Sequence, residues 1–155
     1  MAIQADPVVD PERRERLLAI VDELGPAFRE RAPRYDREAS FPFENFADLY
    51  AAGFYGLCIP TRYGGLGASF NDYMQIGAAI GAYCPMTALT FNMHTQTVLW
   101  TGIAADDLDM SDAHRATHET TRAELYRRIL EEGAMQSQPL SEGIAQGATR
   151  GFATT

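Results

Sequence analysis

Apolar positions recur at helical spacing in several successive segments of the chain. The first helix has clear start signals. Asp10 is placed to cap it, Pro11 suits the first helical position, and Glu12 faces the positive end of the dipole. Leu17, Ile20, Val21 and Leu24 then form one stripe, and Gly25-Pro26 is expected to break or kink the helix. A second segment from Pro26 to about Glu38 carries Phe28 and Tyr35. A short helix within 42–53 has Phe46, Leu49 and Tyr50 on one face, with Gly53 at the left-handed position past its end.

The glycine-rich stretch 56–67 reads as irregular turns. Ser69 caps a helix from Phe70 to about Tyr83, whose Gly77, Ala78, Gly81 and Ala82 make a small-residue face. Pro85 opens the next helix, running to about Trp100, with Leu89, Met93, Gln96 and Trp100 on a stripe read as core. The segment 102–116 reads as an acidic surface loop. A last helix is expected from the capping box Thr121-Arg122-Ala123-Glu124 to Gly133, with Leu125, Ile129 and Leu130 inward. After Gly133 the pattern changes to extended chain over 134–140, followed by a Gly-, Ala- and Thr-rich run. The expected fold is therefore all-α: a bundle of about five to six helices over 1–133, followed by a short extended C-terminal segment, 134–155, that begins a second domain.

Composition changes this picture in a few places. With 155 residues, 46% of them hydrophobic, the chain has enough apolar surface for one core and is not a disordered or disulfide-built chain. A net charge of −8 lacks the basic footprint of a nucleic-acid binder. All 13 basic residues are Arg, which excludes any chemistry that needs a lysine amine. Cys58 and Cys84 sit in apolar runs without metal or redox spacing and read as buried thiols. The start lacks signal-peptide regions, so a cytoplasmic protein is expected.

Tyr73 to Ala105 carries no Asp, Glu, Lys or Arg. Pro85 splits this run, and Asn92, His94, Thr95, Gln96 and Thr97 interrupt its second half. Neither half offers the roughly 20 apolar residues of a membrane span, so two buried helices are expected.

Taken on residue type alone, the chain has no strong catalytic signature. His94 can serve as a general acid or base, as a hydrogen-bond donor to substrate, or as a satisfied core histidine. His114 and His118 share a helical face but lack a third ligand, and the aspartates of 106–112 do not have calcium-loop spacing. Gly64-Gly65-Leu66-Gly67 is too short for a phosphate-binding loop and has no lysine.

The order of several pieces is more telling. Tyr35-Asp36-Arg37-Glu38, then Phe41-Pro42, then Leu49 to Pro60 with its Gly53 and Gly56, then Tyr63-Gly64-Gly65-Leu66-Gly67 resembles the N-terminal helical domain of the acyl-CoA dehydrogenase family. Leu140-Ser141-Glu142 is similar to the Thr-Glu-Pro segment that opens the family's middle β-domain, although Gly143 replaces the proline and 145–149 departs from the usual Ala-Gly-Ser-Asp.

The resemblance implies an FAD-dependent oxidoreductase that dehydrogenates an acyl-CoA thioester between its α and β carbons. It implies an electron-accepting flavoprotein partner and a homo-oligomer in the full-length form. It places Gln138, Leu140 and Ser141 against the flavin, and Met93, His94, Gln96 and Thr97 along the acyl pocket. The family's base, a glutamate of a C-terminal bundle, has no counterpart among these residues; by this likeness they form about the first third of a family-length chain. The polar cluster at 92–96 also suits a flavin-dependent monooxygenase of the same fold. A non-catalytic helical module that pairs with another chain is a third reading.

Overall fold

A computed structural model describes residues 10–137; the expected flavin contacts Gln138, Leu140 and Ser141 lie outside the described residues. The described part is all-α. Its helices are α1 (Pro11–Glu38), α2 (Phe43–Ala51), α3 (Phe70–Tyr83), α4 (Pro85–Thr101), the single turn α5 (Ile103–Asp106) and α6 (Asp112–Glu132). Two 3-10 turns, Phe54–Gly56 and Thr61–Tyr63, punctuate the glycine-rich connection between α2 and α3.

α1 starts as its residues dictate, with the Asp10 carboxylate accepting the Arg13 N–H at 3.0 Å and Pro11 in the first turn. It does not break at Gly25-Pro26. One helix of 28 residues runs through both Pro26 and Pro33. An interior proline costs about 3 kcal/mol in an isolated helix, but the buried stripe Leu17, Val21, Phe28 and Tyr35 continues on one face across it, and α3 packs against that face. Gly25 has a different task from the expected breaker. A Cβ there would lie 2.4 Å from the Tyr83 ring, which crosses α1 at this point to donate a hydrogen bond to Asp22 at 3.1 Å.

Ala39 ends α1 in the left-handed region, at φ 48°, with the Ser40 N–H returning to the Tyr35 carbonyl. A Cβ costs about 1–2 kcal/mol in that conformation. Ala39→Gly is therefore expected to raise unfolding stability by about 0.5–1 kcal/mol after allowing for the looser unfolded chain, as read by urea denaturation.

α3 and α4 form an antiparallel hairpin with a one-residue joint. Cys84 ends the first helix and starts the second, and Pro85 occupies the first position of α4. The small-residue face works through its glycines: Gly77 faces the Asn92 side chain and Gly81 faces Ala88, while Ala78 and Ala82 point to solvent. No helix of the described residues is long and apolar enough to cross a membrane.

The glycine-rich connection folds back on itself. Leu66, Gly67 and Ala68 donate to the carbonyls of Gly56, Ile59 and Leu57, driving Phe54, Leu57 and Ile59 into the core. Gly64 takes the left-handed conformation at φ 88°, which ends the second 3-10 turn.

The expected acidic loop is mostly helix. α5 occupies 103–106, and α6 begins at Asp112 behind a Ser111 cap, well before Thr121. Thr117, Thr120 and Thr121 donate their hydroxyls to carbonyls four residues back, so the apparent capping box lies inside the helix. Arg115 caps the short connection by binding the Ala105 and Leu108 carbonyls, and Arg122 bridges Asp106 and Glu119 from a buried position. Ile129 and Tyr126 are the fully buried contacts of α6, with Leu125 and Leu130 packed partly beside them.

Candidate functional site

At the end of the hairpin away from Cys84, the first turns of α3 and the last turns of α4 diverge. They leave an open cleft of about 530 Å³, closed at one side by Ala104 of α5. Phe70, Tyr73 and Met74 supply one wall, and Gln96, Leu99 and Trp100 the other. Trp100 is 58% exposed and Leu89 69% exposed, so the stripe expected to be core is largely surface. Tyr50 of α2 is likewise exposed, whereas its neighbours Phe46 and Leu49 are buried.

The reason lies in the composition of α4. Apolar residues surround this helix on all sides and no charge marks an outer face, so hydropathy alone does not choose which side turns in. Hydrogen bonding chooses. Thr87, Ala88, Phe91, His94, Thr95, Thr97 and Val98 are buried, with four polar residues among the seven. Thr87 accepts a hydrogen bond from Asn45 of α2 at 2.9 Å and donates to Cys84 Sγ at 3.2 Å. Asn45 in turn accepts from Arg31.

The four pocket candidates therefore divide. Gln96 lines the cleft. Met93 is half-buried, and its carbonyl accepts the hydroxyl of the buried Thr97 at 3.0 Å. His94 is fully buried on the core side, with Nε2 2.8 Å from the Tyr55 carbonyl oxygen and Nδ1 3.0 Å from the Gln136 amide nitrogen. Burial pushes the His94 pKa down from its ordinary value, against the opposing pull of the Tyr55 carbonyl.

The family model of the acyl-CoA dehydrogenase N-terminal domain matches residues 20–105, more than half of the chain. The chain belongs to the acyl-CoA dehydrogenase family. The match spans most of α1, all of α2 to α4 and the glycine-rich connection, so the cleft walls and His94 all lie within the family domain.

Two buried polar centres of this family domain were not singled out as sites from the sequence. One is the Asn45–Thr87–Cys84 chain described above. The other is Asp72, fully buried at the third position of α3, in a capping box with Ser69. Its carboxylate accepts from Arg13 and Arg14 of α1, each at 2.9 Å, and from the Ser69 N–H at 3.1 Å. Burial alone would raise the Asp72 pKa, but these hydrogen bonds outweigh it and hold the group at about 2. The S-x-x-D pattern at 69–72 was a sequence signal for the cap; nothing in the sequence pointed to arginines some sixty residues away. The thiol of Cys58 is pushed up by burial and is inert at neutral pH. Among the described residues no group of three or more His, Cys, Asp or Glu side chains is gathered as metal ligands.

Proposed function

We propose that this chain forms the N-terminal wall of an FAD-dependent oxidoreductase site that dehydrogenates an acyl-CoA thioester. Under this reading the acyl group enters beside α4, with Gln96 facing it, Met93 and Thr97 shaping the helix behind, and His94 placed deeper. Gln138, Leu140 and Ser141 lie against the flavin, where the Ser141 hydroxyl meets the polar edge of the ring. The observation that carries the proposal is the apolar cleft at the open end of the α3–α4 hairpin, inside the part of the chain that matches the family. Flavin oxidation chemistry is supplied by FAD; the chain's own part is to exclude water and hold the acyl group.

Trp100, the single tryptophan, stands in the cleft wall and reports on its occupancy. Titration with a saturated acyl-CoA is expected to shift Trp100 emission saturably, while free CoA does not. Gln96→Leu is expected to tighten binding of the saturated chain about fivefold, the ~1 kcal/mol that burying an unpaired amide costs. An emission that responds equally to CoA and acyl-CoA, or to neither, overturns the assignment of the cleft. Gln96 also favours a second reading, a flavin monooxygenase of the same fold acting on a more polar ligand. In that case Gln96→Leu weakens binding of such a ligand.

A further inference from the structure

His94 ties together three separate stretches of chain. It projects from α4 into the core and is fully buried, and both ring nitrogens are engaged. One meets the Tyr55 carbonyl in the first 3-10 turn, and the other meets the Gln136 amide beyond α6. These partners determine the tautomer. A carbonyl only accepts and a backbone N–H only donates, so Nε2 carries the hydrogen and Nδ1 presents a lone pair.

That arrangement exists only for the neutral ring. A proton added at Nδ1 sets donor against donor across 3.0 Å. The titratable side chain packed against the imidazole is Tyr55, 5.3 Å between ring centres, itself backed by Tyr50. Among the described residues no carboxylate pairs with His94 to stabilise a charged ring.

Gln136 stands at a decisive place. α6 ends at Gly133 in the left-handed conformation, and the Ala134 N–H bonds back to the Arg128 carbonyl. After that, the bond from Gln136 to His94 is the next tie between this strip of chain and the helices. Gln138 follows two positions later.

We infer that His94 is a positioning residue, a latch closed by the neutral imidazole and opened by its protonation, which ties the strip of chain after α6 to the helices at Gln136. The latch stands on the geometry alone. Its consequence for flavin binding rests on the proposed role of Gln138, Leu140 and Ser141.

Nitrogen-15 spectra of the full chain read the tautomer directly, and amide hydrogen exchange reads the latch. Exchange at Gln136, expressed as protection relative to the unstructured rate, is followed from about pH 8 down to about pH 4, because burial moves the His94 titration below its ordinary range. Protection is expected to fall about tenfold or more as His94 protonates, while the core amide of Phe91 holds its protection. An Nδ1–H tautomer, or Gln136 protection that ignores the His94 titration, overturns the latch.

Two variants separate the ring's two roles. His94→Asn keeps an acceptor near the Nδ1 position, so Gln136 stays protected and loses its pH dependence. His94→Gln places its amide near Nε2, so Gln136 is unprotected at every pH. If either variant fails to fold, the wild-type tautomer and exchange measurements decide alone.

The second arm uses FAD as the probe, followed by its fluorescence. Affinity is expected to drop about tenfold with His94 protonation in the wild type, and not in His94→Asn. A latch seen by exchange in a chain that binds no FAD removes the flavin reading and leaves the latch standing. FAD binding without any latch signal does the reverse.

Discussion

Asp72→Ala is expected to destabilise the domain by about 3–5 kcal/mol, the cost of stripping a buried ion cluster of its central partner. The carboxylate is fully buried, and Arg13, which binds it, is 6% exposed. Its removal takes the nearest carboxylate from the buried Arg13 guanidinium, which keeps Asp10 at 3.8 Å, and takes the 2.9 Å partner of Arg14 and the cap of the Ser69 N–H. Against a typical folding free energy of 5–15 kcal/mol, that is a large share. The urea midpoint should fall sharply with little change in slope. Adding Arg13→Met to Asp72→Ala should recover part of the loss, because a buried cation deprived of its nearest carboxylate is much of the damage. A double variant no more stable than the single one would refute that account.

The same cluster has a pH signature. The folded Asp72 pKa, about 2, lies below the ordinary aspartate value of about 3.9. A depressed pKa means that the folded state holds fewer protons, so the contribution is complete above about pH 4 and is lost as the pH falls towards 2. Glu119, paired with Arg122 and Tyr63, is also held at about 2 and melts over the same interval. Acid titration of stability in Asp72→Asn should therefore have a shallower limb than wild type in that window, with Glu119 supplying part of what remains.

Gly65→Ala is the second large effect expected, a loss of about 3 kcal/mol or more. A Cβ at this position would lie 2.1 Å from the Ile59 carbonyl oxygen and 2.4 Å from the Ile59 Cβ. Neither can retreat. Ile59 is fully buried, and its carbonyl is held by the Gly67 N–H at 2.9 Å. At the adjacent Gly64 the obstacle is only the left-handed backbone, with the nearest atom of Leu130 at 3.6 Å, so Gly64→Ala should cost about 1–2 kcal/mol. Measuring both by denaturation ranks the two glycines, and a reversed order would rule out the steric explanation.

These residues show where the sequence was transparent. The caps at Asp10 and Ser69 and the left-handed Gly53 are local, and each was readable from a few neighbours. Local reading failed where long-range packing outweighed it. Pro26 was absorbed into α1 because the buried stripe runs on past it. The start of α6 was misplaced because back-bonded threonines in mid-helix imitate a cap. The face of α4 was misread for want of any charge to mark its outer side, and the structure turned four polar side chains inward while giving all their polar atoms but the Thr95 hydroxyl a partner. Asp72 was visible as a helix-start residue but not as an ionic centre, since its arginines belong to a different helix. Within the site, Gln96 lines the cleft, while the inward turn of His94 depends on a backbone amide 42 positions away.

The single-residue joint at Cys84 arranges α3 and α4 like the two arms of a pair of tongs. With about 1.5 Å of rise per residue, the 14 residues of α3 set the jaws about 21 Å from the pivot. The Gly77–Asn92 contact bears on the arms halfway along. A wedge of about 1 Å at Gly77 thus spreads the jaws by about 2 Å. The width of the cleft is therefore expected to respond to a larger residue at Gly77, which is not among its lining residues.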